Sequence, residues 1–587
     1  MNIIKKICTN EMLCKLAEMF FITWAMIKIS KLSVANIFGL VFLFFSFMLI
    51  KISDGYGKID KNQKIGICIL SGIYTLMYTL SDYYSWVYML ENKLFKSIIV
   101  IAVFMGLYLL FKRILLTLTA VIDKWKVNKT DIDKENIRPN VFISVTILCM
   151  LAYFPYFLYL YPGVMTPDSV NQLEQALKMI PYSNHHPWAH TLFIKLCFNI
   201  GYKITGDRNV GVAVYTIVQM LIVSMSAGYI IDTLKKLNVK KVILILSTLF
   251  FAFVPYNAVF AVTMWKDIIF SYFVLNMMCT LIRIITLNDT SKFTYALFAV
   301  SSLVMCLFRT NGFPAFLVTA VLLIVYFRKK LFPMLPIIVV ITLLSLIFKG
   351  PVMKAYNVKQ PDFTESIAVP AQMLSRVLVN DRELSADDMY EIKHVVDLTY
   401  IKDLYVPDYG DNIKELIRAG HPEYLESHKG QFLKMFIRIG LKYPADYLHA
   451  YVDLTNGYWY PDNDIIIAET EGIPDNSCGV FSYPLLRGKV VVKLKEIFLK
   501  LGAMIPVYGI LWCLGAGFWF TLYTFVYILT HDNKKEYIIV IPILALMGTL
   551  FIASPISGVF RYAYFMMLSI PLFVGLILKS DNLEINS

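Results

Sequence analysis

Apolar runs of roughly twenty residues recur from one end of this chain to the other, the length a helix needs to cross a hydrocarbon core. GLVFLFFSFMLI at 39–50 and PIIVVITLLSLIF at 336–348 form the centres of two of them. The runs are continuous and lack the alternation of a strand, so helices rather than a barrel are expected to do the spanning. Composition agrees: of 587 residues, 58% are hydrophobic and 17% charged, too apolar for a soluble domain.

The net charge of +13 does not mark a nucleic-acid partner, because the basic residues fall in short clusters between apolar segments. That is the pattern of loops held on the cytoplasmic side. Nine cysteines are scattered, and only Cys478 lies in the one long polar region, which leaves no disulfide to staple that region internally. The charged start MNIIKKICTNEMLCK leads into an apolar run with no small-residue cleavage site, so no cleavable signal peptide is expected. The abundance of Ile, Lys and Asn suggests a bacterial origin.

Placing the basic clusters inside predicts an all-α polytopic membrane protein of about 14 spans with both termini inside. Spans are expected near 14–30, 34–50, 64–82, 98–118, 141–160, 208–231, 242–256, 263–286, 293–308, 312–327, 331–348, 502–529, 537–553 and 560–578. The basic loop from Lys124 to Arg138, the cluster Lys235–Lys241, Arg328–Lys330 and HDNKKE at 531–536 then all lie inside. Residues 188–204, interrupted by His190, Lys195 and Asn199, are read as a helix lying along the outer surface. The polar region 350–497 holds roughly half of the 42 acidic residues and is expected to be a mixed extracytoplasmic domain.

That threading uses no chemistry, yet it collects one set of polar residues on the outer side. Asp168, His185 and His186 lie in the first large outer loop, Lys266 and Asp267 at the start of a span, Arg309 and Asn311 in FRTNGF, and Arg561 in SPISGVFRYAYF. Three cations at outer ends of spans run against the usual bias and suit an anionic group such as a phosphate.

Each residue also has a structural explanation. Asp168 follows Thr166, a good N-cap, and Pro167, a good first helical residue, so its acid complements a helix start. The helix begun there would place Val170, Leu173, Leu177 and Ile180 on one face, as on a membrane-surface helix. Lys266 could pair with Asp267, and Arg309 could reach headgroup phosphates. His186 and His190 are spaced as a metal pair on one helical face, without a third ligand at fixed spacing. Tyr458 and Trp459 in NGYWYPDND suit either stacking on a sugar ring or contact with the membrane surface.

Asp168 in PGVMTPDSVNQ, His186-Pro187 in SNHHPWAH, the turn FRTNGF and the late Arg561-Tyr562 together resemble the C-type (GT-C) integral-membrane glycosyltransferases. That superfamily includes protein O-mannosyltransferases and the lipid A aminoarabinose transferase. The chain also resembles an uncharacterised group of Gram-positive membrane proteins sharing the PG…DS…Q…HHP pattern. The resemblance implies a catalytic membrane module at 141–349, preceded by an accessory membrane region at 1–140. The extracytoplasmic domain at 350–497 and C-terminal membrane helices at 498–587 follow it. It further implies transfer of a sugar from a polyprenyl-phosphate donor to a hydroxyl acceptor, a cell-envelope glycan, lipid or protein, at the outer face of the cytoplasmic membrane.

In that chemistry Asp168 is the base, Lys266, Arg309 and Arg561 hold the donor phosphate, and His185, His186, Asn311 and Asp267 orient acceptor or phosphate. A single base opposite the leaving group inverts the anomeric centre. Relatives in the superfamily often carry a paired Asp-Glu where this chain has one Asp, which leaves a divalent metal open. The rival reading is a multi-pass transporter or lipid flippase. Such proteins show internal repeats and ionisable residues near the midplane, and here the charges gather at span ends.

Overall fold

The computed structural model describes residues 2–56, 59–88, 90–126, 140–328, 333–462, 472–531 and 534–579. Most of the basic loop 124–138, Lys329, Lys330, Asp532, Asn533, the side chains of Lys5 and Lys6 and residues 580–587 lie outside what is described. Among the described residues the regular structure is helical, with isolated bridges in place of strands.

The first helices are α1 (Asn2–Ile29), α2 (Phe38–Gly55), α3 (Lys61–Val87), α4 (Lys93–Trp125) and α5 (Val141–Tyr159). Next come α6 (Pro167–Ala176), α7 (Trp188–Thr205), α8 (Arg208–Lys236), α9 (Lys241–Phe253) and α10 (Pro255–Ala261). They are followed by α11 (Lys266–Ile285), α12 (Lys292–Phe308), α13 (Gly312–Tyr326), α14 (Met334–Ile347) and α15 (Met353–Ala355). The polar region holds α16 (Ala368–Val379), α17 (Ala386–Val395), α18 (Ile401–Leu404), α19 (Asp411–Ala419), α20 (Pro422–Ser427), α21 (Lys429–Lys442) and α22 (Pro444–Thr455). The last are α23 (Lys489–Met504), α24 (Leu514–Thr530), α25 (Ile541–Ala553) and α26 (Tyr564–Leu578).

Eight of the described helices are long and apolar enough to cross a bilayer, or nine if α9 and α10, bent by 50° at Pro255, form one span. The protein is therefore a helical membrane protein. Helices α12, α13, α24 and α25 are apolar but shorter. The continuous span expected at 502–529 is broken: α23 stops at Met504, and Pro506, Val507 at φ +67° and a 3-10 turn separate it from α24. Proline cannot donate the helical hydrogen bond and excludes the α conformation before it, which explains the interruption.

The chain forms two compact units. The first comprises Met1–Lys126, Trp459–Asp462 and Phe518–Lys535. Gly106 lets α4 press against α1, since a Cβ there would sit 2.0 Å from the Phe21 carbonyl oxygen. Ile22, Ala25, Val103 and Leu107 fill the seam, and Tyr74 stacks on Trp519 with centroids 4.2 Å apart.

The second unit contains the remaining residues and is organised around α11. KDIIFSYFVLNMMCTLIRII is apolar on every side and is buried along nearly its whole length by α8, α12 and α26. Helix α6 is shorter than the pattern predicts. It ends at Ala176 because Lys178 turns left-handed (φ +61°), with Met179 N–H on the Glu174 carbonyl (2.9 Å) and Lys178 N–H on that of Gln175 (3.0 Å). Its apolar face is not laid on a membrane surface either. Val170 and Leu173 enter a protein core with Ile194 and Phe198 of α7 and Val212 of α8. Helix α7 is not among the apolar spans and packs on α6 and α8.

The polar region, expected to be mixed, is helical. Its core gathers Leu374, Val377, Ile392, Ile413, Leu416 and Phe432. Residues 472–488 instead form a loop on the α6–α8 core, where Cys478 and Val480 are buried and the Gly472 carbonyl accepts Met165 N–H (2.9 Å).

Candidate active site

Two local devices place Asp168. Thr166 caps α6 through a reciprocal capping box with Ser169, whose Oγ lies 3.0 Å from Thr166 N. Trp265 Nε1–H donates to Thr166 Oγ1 (2.8 Å). Thr166 thus does the capping, and the Asp168 carboxylate is left free to face other elements. A short parallel bridge then brings the α10–α11 connection alongside: Val164 N–H donates to the Val262 carbonyl (2.9 Å) and Met264 N–H to that of Val164 (2.8 Å). Buried Gln219 of α8 holds the same connection by donating to the carbonyls of Phe260, Ala261 and Thr263 (3.1, 3.0 and 2.6 Å).

The result is a charged cluster at one end of the helix set. Asp168 Oδ2 lies 3.1 Å from Arg561 Nη1 and 3.5 Å from Lys266 Nζ, and Oδ1 lies 3.9 Å from His186 Nε2. Lys266 Nζ is 3.1 Å from His186 Nδ1. An ammonium only donates, so Nδ1 is the acceptor and the ring proton sits on Nε2, facing Asp168. Burial pushes the Asp168 carboxyl up, but Lys266, Arg561 and His186 outweigh it and hold the carboxyl well below the usual carboxylate range. Burial and then Lys266 push the His186 imidazole well below its ordinary value, so it is neutral near pH 7.

The expected pairing of Lys266 with Asp267 does not form. Asp267 is fully buried and lies 2.6 Å from Arg309 Nη1. Neither Asp267 oxygen is aligned for a hydrogen bond, so charge holds this pair. Arg309 also donates to the Tyr562 carbonyl (3.3 Å) and lies over the Tyr562 ring at 4.9 Å. Asp267 thus balances the charge of Arg309, whereas Lys266 and Arg561 share the single carboxylate of Asp168. Arg561 lies over the Trp265 ring at 4.8 Å. Asn311 donates to Thr549 Oγ1 (2.9 Å), and His185 Nδ1 lies 3.3 Å from Glu365 Oε1.

A cavity of about 840 Å³ opens on this cluster, and Asp168, His186, Lys266, Arg309, Asn311 and Arg561 line it together with Glu365, Asp408, Asp411 and Lys414. Its size suits a small-molecule site, typically about 300–1,000 Å³. A second cavity of about 390 Å³ is lined by Asn171, Gln175, Ser183 and His185. Asp168 and His186 belong to both linings, so they form a shared wall.

Tyr458 and Trp459 do not offer their rings to a sugar. Tyr458 is fully buried, its hydroxyl 2.8 Å from Ser554 Oγ, and it supports the 554–560 segment of the cavity wall. Trp459 is buried in the first unit, where its carbonyl accepts Trp519 Nε1–H (2.8 Å). Their burial also removes them from a membrane-surface role. The His186/His190 metal pair fails as well. His190 is buried with Nδ1 on Gln172 Oε1 (2.9 Å) and Nε2 on the Tyr215 hydroxyl (2.7 Å), so both nitrogens are occupied. Among the described residues no group of three His, Cys, Asp or Glu side chains could hold a metal ion. Sequence reasoning missed Trp265, Glu365 and Gln219, and quoted Tyr562 beside Arg561 without giving it a role. Only Gln219, a carboxamide inside an apolar helix, carried a signal.

Residues 178–583 match a family described as "Family of unknown function (DUF6020)". The chain belongs to that family. No curated protein and no solved structure matches it. The matched stretch contains His185, His186, Lys266, Asp267, Arg309, Asn311 and Arg561, and begins after Asp168.

Proposed function

We propose that this protein is a membrane glycosyltransferase of the GT-C kind, moving a sugar from a polyprenyl-phosphate donor to a hydroxyl acceptor. In this reading the site faces the outer side of a bacterial cytoplasmic membrane, about fourteen spans cross it, both termini lie inside, and the first 140 residues are accessory. The observation that carries the reading is the Asp168 carboxylate held between Lys266 and Arg561 on a wall shared by two cavities.

The donor phosphate enters the larger cavity and draws Lys266 and Arg561 onto its oxygens. Asp168 then loses the two charges that depress its proton affinity and gains an anionic neighbour, so its affinity for a proton rises as the donor binds. The acceptor hydroxyl approaches from the smaller cavity, lined by the amide and hydroxyl groups of Asn171, Gln175 and Ser183. Its oxygen bonds to the anomeric carbon while the bond from that carbon to the phosphate oxygen breaks. The electron pair leaves with the polyprenyl phosphate, and the hydroxyl proton passes to Asp168. One displacement inverts the anomeric centre. Arg309 and Asp267 remain paired and hold the turn beside Tyr562.

The test reconstitutes the purified protein in nanodiscs with a panel of polyprenyl-phosphate sugars and follows donor consumption. Asp168→Asn is expected to slow the competent donor by about 10²–10⁴-fold, the range of general base catalysis. Equal consumption by wild type and variant, or no consumption of any donor by wild type, overturns the reading.

A further inference from the structure

Helix α21 carries a feature that neither the active site nor the bilayer-crossing helices explain. KGQFLKMFIRIGLK buries Phe432, Met435 and Ile439 in the core of the polar region, yet Leu433, Ile437 and Leu441 are 55%, 51% and 80% exposed. Spaced four apart, these three lie within an arc of about 80° on the opposite face. Leu448 on α22 adds a fourth exposed apolar side chain nearby in sequence. The helix is not a span: 14 residues rise about 21 Å, short of a core of roughly 30 Å, and four of them are basic.

The charges identify the occupant. Lys434 and Arg438 run along one edge of the stripe and Lys429 lies at the other, with Lys442 at the end and no acid anywhere in the helix. Arg438 and Lys429 touch Asp388 and Glu426 from neighbouring elements. The Lys429–Glu426 pair is exposed on both sides, so it is weak and rearranges readily, whereas Arg438 stays on Asp388, which is buried. An apolar stripe edged by cations matches acyl chains below anionic headgroups, with lysine stems spreading to the phosphates. A protein partner would need acids to meet these cations, whereas the bilayer of this membrane protein supplies both parts in one plane.

We propose that α21 docks on the bilayer surface, seating Leu433, Ile437 and Leu441 at the acyl boundary and its lysines against anionic lipid headgroups. The surface is independent of the catalytic reading. Docking has a positional consequence, because α22 continues directly into Asn456 and Gly457, which line the larger cavity. Seating α21 on lipid sets the height of that wall above the membrane.

The test places the photo-crosslinking amino acid p-benzoylphenylalanine at Leu433, Ile437 or Leu441 of the full chain, or at exposed Tyr390 of α17 as control. Each protein is irradiated in nanodiscs containing equal parts phosphatidylglycerol and phosphatidylcholine, and peptide adducts are read by mass spectrometry. Lipid adducts are expected at the stripe positions and not at Tyr390, with the anionic lipid in severalfold excess. Lys434→Gln is expected to reduce that excess. No lipid adducts at the stripe, adducts to a second protein chain, or equal yields of the two lipids overturn the proposal.

Discussion

Asp168 Oδ2 and Arg561 Nη1 are 3.1 Å apart across 393 positions of sequence. The contact closes the first loop of the second unit onto the 3-10 turn, Phe560–Ala563, that leads into its last helix. Asp168→Asn and Arg561→Gln should therefore be coupled. A double-mutant cycle on thermal stability in detergent is expected to show about 0.5–3 kcal/mol of interaction, the range for residues in direct contact. Additive effects would mean that the pair does not persist in solution.

The buried pair Asp267–Arg309 is expected to matter first for folding. Removing one charge leaves the other buried and unpaired, so Asp267→Asn or Arg309→Gln should cost about 3–5 kcal/mol. Replacing both, as Asp267→Leu with Arg309→Met, is expected to recover most of the melting temperature. Lys266→Met should behave differently: its partner Asp168 is partly solvated, so donor turnover falls more than stability does.

Stability should fall as pH drops, in two stages. The folded His186 has its pKa below the ordinary value, so the unfolded chain takes up the proton first. Its contribution is present above about pH 6.5 and is lost as pH falls from there towards the folded value. Asp168 is also depressed, so its contribution is present above about pH 4 and is lost only at more acid pH. Melting temperatures between pH 7 and 5 should decline less in His186→Gln than in wild type.

Gly457 and Gly558 meet where no side chain fits: a Cβ on Gly457 would lie 2.5 Å from Gly558 Cα, and Gly558 has φ +64°. Gly457→Ala should therefore shift the cavity wall and lower both melting temperature and turnover. Gly558→Ala adds backbone strain of about 1–2 kcal/mol. Circular dichroism melts and the donor assay read the two effects separately.

Much of the site was legible because charge in an apolar chain is costly and seldom incidental. Asp168, Lys266, Arg309, Asn311 and Arg561 could be singled out on that ground, and the structure brings them to one cavity. Their pairing was not legible. Lys266 and Asp267 are adjacent, yet on α11 successive side chains point about 100° apart, so Lys266 faces Asp168 while Asp267 turns inward to Arg309. The Tyr458-Trp459 cluster was misread because an aromatic side chain serves a core and a ligand with the same chemistry. The break at 505–512 did have a local signal, Pro506, which the surrounding hydropathy outweighed.

The amino-acid sequence alone determined the helical membrane character and the Thr166 cap of α6, because apolar length and capping are properties of neighbouring residues. Only the tertiary structure decided that α11 is central, that His190 belongs to a core and that Asp168 meets Arg561. Apolar burial is non-directional, and nothing in a run of leucines and isoleucines states which helix ends will meet. Contacts of 3–4 Å between distant residues are settled only once all the helices have packed.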